Sequence, residues 1–217
     1  ATSGVDGMAQ FSFASSPDST ITRNFIVIAN DEQARENLVS VRLIFTSIVL
    51  SVDVENGFRV LGEHWFESGS EARLRFSAKW THDGSSVNGF KTIEIESGKN
   101  ASDHISILEY EKKVSLRFFA EDRGIRSDSI PVELVFTSIR ISATRQGDIC
   151  NVRAYWSHDG RSIAGLQLMC FETGQVEITG LDGYVEFVTV GCGFRVTFLP
   201  VSSVNGITVY QEMRVEL

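Results

Sequence analysis

Along the chain, apolar and polar positions alternate with a period of two. Leu74, Phe76, Ala78 and Trp80 alternate with Arg73, Arg75, Ser77 and Lys79, which predicts a strand with one buried and one wet face. Cys150, Val152, Ala154 and Trp156 alternate in the same way with Asn151, Arg153 and Tyr155. After each tryptophan a His-Asp-Gly run supplies turn chemistry, since glycine takes positive φ without strain. Further strands are predicted at Phe90 to Glu96, Leu166 to Glu172, Val176 to Thr179, Tyr184 to Val190, Cys192 to Leu199 and Ile207 to Leu217. No stretch carries a sustained helical period flanked by caps. The chain is predicted to be all-β.

These elements recur. Phe25 to Ile48 aligns without gaps on Leu116 to Ile139, with 9 of 24 positions identical. The identities include Phe45-Thr46-Ser47-Ile48 against Phe136-Thr137-Ser138-Ile139. Trp80 to Gly98 aligns on Trp156 to Gly174 with 8 of 19 identical, and W-x-H-D-G is common to both. The first shift is 91 residues and the second 76, so the first copy holds 15 extra residues, placed near Asn56 to Ser70. A weaker match relates Gly4-Val5-Asp6-Gly7 to Gly180-Leu181-Asp182-Gly183, both read as hairpin turns. Val132-Glu133-Leu134 returns as Val215-Glu216-Leu217 and marks where one repeat ends. The expected organisation is a partial repeat at 1–40 and whole repeats at 41–131 and 132–217. Each whole repeat holds about seven strands with turns every 8–12 residues, as a β-sandwich does. A barrel is the alternative, which tandem repetition at this length disfavours.

Composition narrows the functional classes. The 217 residues carry 20 basic and 28 acidic side chains, a net charge of −8, and the pI is near 5.1. That balance argues against nucleic acid or an anionic membrane surface as partner. No apolar run reaches the roughly 20 residues of a membrane span. An opening Ala1-Thr2-Ser3 without Met is what a processed or excised polypeptide would show.

The W-x-H-D-G turns and the Gly180-to-Phe187 segment resemble tandem immunoglobulin-like domains of archaeal and bacterial surface proteins. The resemblance covers nearly the whole chain. It implies tandem immunoglobulin-like β-sandwiches and an extracellular structural role at the cell surface, in a surface layer (S-layer), stalk, filament or adhesin. It also implies an inter-sheet disulfide. Cys150 and Cys192 share parity with core positions, so a Cys150–Cys192 bridge would close a loop of about 40 residues, worth roughly 3–4 kcal/mol. Two buried thiols are the alternative. Cys170, aligned with Glu94 between Ile93 and Ile95, is expected to point outward.

Chemistry beyond structure is sparse. His82 and His158 occupy equivalent turns beside Asp83 and Asp159, and a metal would need further ligands from elsewhere. Hydrogen-bonded turns are the simpler reading, so no metal and no cofactor is expected. Serine-hydrolase, zinc-protease, P-loop and C-x-x-C motifs are absent, and Gly191-Cys192-Gly193 reads as part of a core strand. An enzyme is not expected. Asn100-Ala101-Ser102 is the one glycosylation sequon. Trp65, Phe66 and Phe58, in the extra 15 residues, are the candidates for a glycan-binding platform.

The partial repeat raises the question of assembly. Three strands of a seven-stranded sandwich would leave Phe11, Phe13, Phe25 and Val27 wet, and each such side chain gains about 1.5–3 kcal/mol from burial. Either a longer array or a neighbouring subunit must cover them. The expectation is strand addition by a second copy, with residues 8–29 in β-ladder contact with another chain. Repeated head to tail, this gives a filament.

Overall fold

The computed structural model describes residues 21–28, 38–101, 103–190, 195–207 and 213–216. Every regular element among them is a strand. β1 (Ile21–Ile28) and β2 (Leu38–Phe45) form an antiparallel pair with Phe25 opposite Val41 and Val27 opposite Val39. Phe11 and Phe13 lie outside the described residues.

The first whole repeat comprises β3 (Ile48–Glu55), β4 (Phe58–Val60), β5 (Glu63–Glu67), β6 (Glu71–Trp80), β7 (Lys91–Glu94), β8 (Asn100–Ala101), β9 (His104–Leu108), β10 (Lys112–Asp122), β11 (Ile125–Arg126) and β12 (Ile130–Thr137). One sheet runs β3-β6-β9 and the other β4-β5-β12-β10-β7-β8, with β11 on β10. The second repeat comprises β13 (Ile139–Gln146), β14 (Ile149–Trp156), β15 (Gln167–Cys170), β16 (Val176–Ile178), β17 (Tyr184–Val188), β18 (Arg195–Pro200) and β19 (Met213–Glu216). Its sheets run β13-β14-β17 and β16-β15-β18-β19.

Stripped of β4, β5 and the short β11, the first repeat has the strand order of the second. Among the described residues each is a seven-stranded immunoglobulin-like sandwich, so the fold is all-β and tandem, as expected. Ile48 pairs with Trp80 and Ile139 with Trp156, which puts the two tryptophans at equivalent positions. β13 ends at Gln146 and β14 starts at Ile149, whereas β3 ends at Glu55 and β6 starts at Glu71. The extra residues therefore fall where the repeat shift put them, and they form the β4–β5 hairpin. The β1–β2 ladder reproduces the β10–β12 ladder at an offset of 91, with Phe25 opposite Val41 and Leu116 opposite Val132.

Period-two burial holds in β6, where Ala72, Leu74, Phe76 and Ala78 are buried and their neighbours exposed. These side chains meet Phe118, Leu134 and Phe136 to form the first core. Phe187, Phe198, Leu168, Val152 and Cys150 build the second.

Three expectations need correction. Cys170 is fully buried, because Leu168 and Cys170 face the core. Around β7 the parity is likewise opposite to that expected: Thr92 is buried, and Ile95, just past the strand, is exposed. The Gly180-to-Gly183 turn is no hairpin, since it links β16 to β17, which lie in different sheets. Gly183 takes φ 76°, and a side chain there would press on the Ala154 carbonyl.

Candidate functional site

The junction between the two whole repeats is where the repeated motifs meet. β12 is buried on both faces at its end: Leu134, Val135, Phe136 and Thr137 are all inaccessible. Leu134 and Phe136 point into the first core, while Val135 belongs to the second. β5 runs parallel to β12, with Val135 opposite Trp65 and Phe136 opposite Phe66. Period two then sends Phe66 onto Phe136, stacked at 5.4 Å, and sends Trp65 across the junction. Trp65 is only 4% exposed and stands edge-on to Trp156 and to His158, at centroid distances of 4.9 and 5.4 Å.

Phe58, opposite Trp65 in the hairpin, lies over Gly206 so closely that a β-carbon there would collide with the ring. Asn205 and Gly206 both take positive φ, which turns the chain sharply and exposes the glycine backbone to that ring. Val60 and Val204 pack on the same cluster. The glycan platform expected from Trp65, Phe66 and Phe58 is therefore not formed. Trp65 and Phe66 are buried, and only Phe58, 57% exposed, faces solvent. Their place in an insertion suggested an exposed loop, whereas the insertion pairs with β12 and is covered by the next repeat.

A polar network supports the indole. Trp65 Nε1 donates to Glu63 Oε2 at 3.0 Å, and Lys113 Nζ lies 2.8 Å from Glu63 Oε1 and 3.1 Å from Glu133. The hydrogen bond from Lys113 holds the Glu63 carboxyl below its ordinary range, against the opposing effect of burial. On the other edge, Glu111 of the first repeat accepts from Ser138 Oγ at 3.2 Å and pairs with Arg140 of the second.

The Phe-Thr-Ser-Ile and W-x-H-D-G blocks are two halves of one contact. His158 Nδ1 and Thr137 Oγ1 share a hydrogen bond of 2.8 Å, and Ser138 N donates to Ser157 Oγ at 2.9 Å. In the first repeat His82 Nδ1 meets Thr46 Oγ1 at 2.9 Å, and Ser47 N donates to Thr81 Oγ1 at 3.0 Å. Each histidine thus ties its turn to the segment entering its repeat. Nε2 of His158 also faces Asp159 at 3.2 Å. Burial pushes the His158 pKa down, which favours the neutral ring. Repetition of both blocks in order was the signal for this contact. The Glu63 and Glu111 links involve residues outside those blocks and carried no such signal.

Among the described residues no cluster of His, Cys, Asp and Glu is arranged to hold a metal. Cys150 and Cys170 are buried free thiols, and burial pushes the Cys150 pKa up. Cys192, the expected partner of Cys150, lies outside the described residues. Asn100 is exposed at the start of the two-residue β8, paired with Ile93, rather than in a loop. Ser102 of its sequon lies outside the described residues.

The site and fold define a class: tandem immunoglobulin-like domains joined through a packed junction. No protein-family model and no curated protein matches the chain. Among solved structures the chain is similar to the D00–D0 domain of intimin, with 13% identity, a TM-score of 0.44, and coverage of 76% of this chain and 96% of that one. It is similar to a two-domain fibronectin type III segment of chicken tenascin, at 14% identity and TM-score 0.29, covering 77% and 98%. The three N-terminal domains of the highly immunogenic outer capsid protein of bacteriophage RB49 match at 9% identity and TM-score 0.38, covering 82% and 71%. The fold assignment rests on the strand order itself.

Proposed function

We propose that this chain is a non-enzymatic structural segment of an extracellular surface protein, whose repeats are locked end to end into a stiff spacer. The observation that carries this reading is the burial of Trp65 against Trp156 and His158, an aromatic of one repeat inside the core cluster of the next. An interface of that kind restrains relative domain motion, where a polar linker would leave it free. The resemblance of the repeats to those of surface proteins supports the extracellular setting. Within the assembly, β1 and β2 belong to a repeat that a neighbouring subunit completes by strand addition, so that copies join into a filament or surface layer.

Electron microscopy and small-angle scattering of the purified chain test this. Filaments or sheets, with a single interdomain angle along them, are the expected result. Monomers at high concentration would remove the polymer mechanism, and a broad spread of angles would remove the spacer. The glycan-binding alternative keeps no platform at Trp65 and Phe66.

A further inference from the structure

The junction face that receives Trp65 and Phe58 on the second repeat exists a second time, on the first repeat. The ladders fix the correspondence. Trp80, His82 and Val87 stand where Trp156, His158 and Ile163 stand. The bridge Val204↔Ile207, with positive φ at Asn205 and Gly206, corresponds to the pair Asp122↔Ile125, with positive φ at Arg123 and Gly124. On the second repeat the Phe58 ring covers Gly206; on the first, nothing among the described residues lies within 4 Å of a β-carbon built on Gly124. The His158 side chain is 4% exposed and that of His82 is 16% exposed. A cleft of about 430 Å³ opens here, lined by Thr46, Trp80, His82, Asn88, Asp122 and Ile125 among others.

We propose that this cleft is the docking site for a second aromatic β-hairpin of the Phe58–Trp65 kind, carried by the strands that complete the repeat of β1 and β2. The proposal rests on the strand-completion reading above and requires the completing strands to come from a partner that carries such a hairpin free, because the chain's own Phe58–Trp65 hairpin is held in its own junction. The occupant's chemistry follows from the copy already filled. One ring lies flat on the Gly124 turn and another stands edge-on to Trp80. Where the second repeat offers Val204, the first offers Asp122, which lies 3.8 Å from Arg123 Nε, so this edge of the cleft is polar where its counterpart is apolar.

The test uses the full chain and a head-to-tail cyclised peptide of its own residues 56–68 as probe, followed by the indole and backbone amide signals in NMR. Saturable shifts at Trp80 and Gly124, without shifts at Trp156, are expected. Asn88→Arg crowds the cleft from an exposed position and should weaken binding by at least about tenfold with the melting temperature unchanged. Trp80→Ala should abolish it. Absence of binding at millimolar peptide, or binding untouched by Asn88→Arg, overturns the proposal. Shifts at Trp80 with simple hexoses and none with the peptide also overturn it, in favour of a glycan site. Electron microscopy of the unmixed chain reports on polymer formation separately, so failure of the filament reading is not confused with failure of the docking site.

Discussion

Trp65 of the first repeat meets Trp156 of the second at a centroid distance of 4.9 Å and an interplanar angle of 78°. Edge-to-face contact of this kind adds about 0.5–1.5 kcal/mol to what burial alone supplies. Truncating the indole should therefore cost the junction dearly. Trp65→Ala is expected to destabilise the protein by about 3–5 kcal/mol, measured by denaturant unfolding. Small-angle scattering of the same variant should show a widened distribution of interdomain angles.

The support under that indole should divide into a weak part and a strong part. Lys113 is 45% exposed, so Lys113→Met should cost no more than about 1 kcal/mol. Glu63→Ala removes the acceptor of the Trp65 N–H as well, and should cost about 1–3 kcal/mol. Glu63→Gln keeps an acceptor and should fall between the two. Equal losses for all three in urea unfolding would contradict this division.

Gly206 and Gly124 give a matched pair. Both take positive φ, so alanine at either strains the backbone by about 1–2 kcal/mol. Only at Gly206 does it also displace Phe58. Gly206→Ala should be the costlier change, and the excess should vanish in a Phe58→Ala background, as a double-mutant cycle will show.

Stability should fall on mild acidification. Burial lowers the His158 pKa from its ordinary 6.5, so the unfolded chain binds the proton more readily than the folded one. The stability is complete above pH 6.5 and is lost progressively as pH drops from there toward the folded-state value. Unfolding curves between pH 7.5 and 5 should show this slope, and His158→Asn should flatten it.

Much of this was legible in the sequence because repetition is informative twice over. The two shifts located the β4–β5 insertion, and strand parity placed Leu74, Phe76, Val152 and Trp156 in the cores. The destination of the insertion was not legible. Whether Trp65 faces water or a neighbour depends on β5 pairing in parallel with β12, a contact some 70 residues away that no local pattern encodes. Cys170 was misplaced for a related reason. Its aligned partner Glu94 lies in a strand whose buried residue is Thr92, and a buried polar residue reverses the apparent parity. The place of Asn100 in β8 carries no sequence signal, because a two-residue strand leaves no periodic trace.

The parallel pairing of β5 with β12 has a mechanical consequence. β12 runs directly through Thr137 and Ser138 into the second repeat, while β5 is held within the first repeat by its connections to β4 and β6. A pull along the chain slides the two strands past each other, so the ladder from His64–Leu134 to Glu67–Thr137 bears the load in shear and its bonds must fail together. In the second repeat β19 is paired, among the described residues, with antiparallel β18 alone. Stretched from its ends, the protein should give way in its second repeat first.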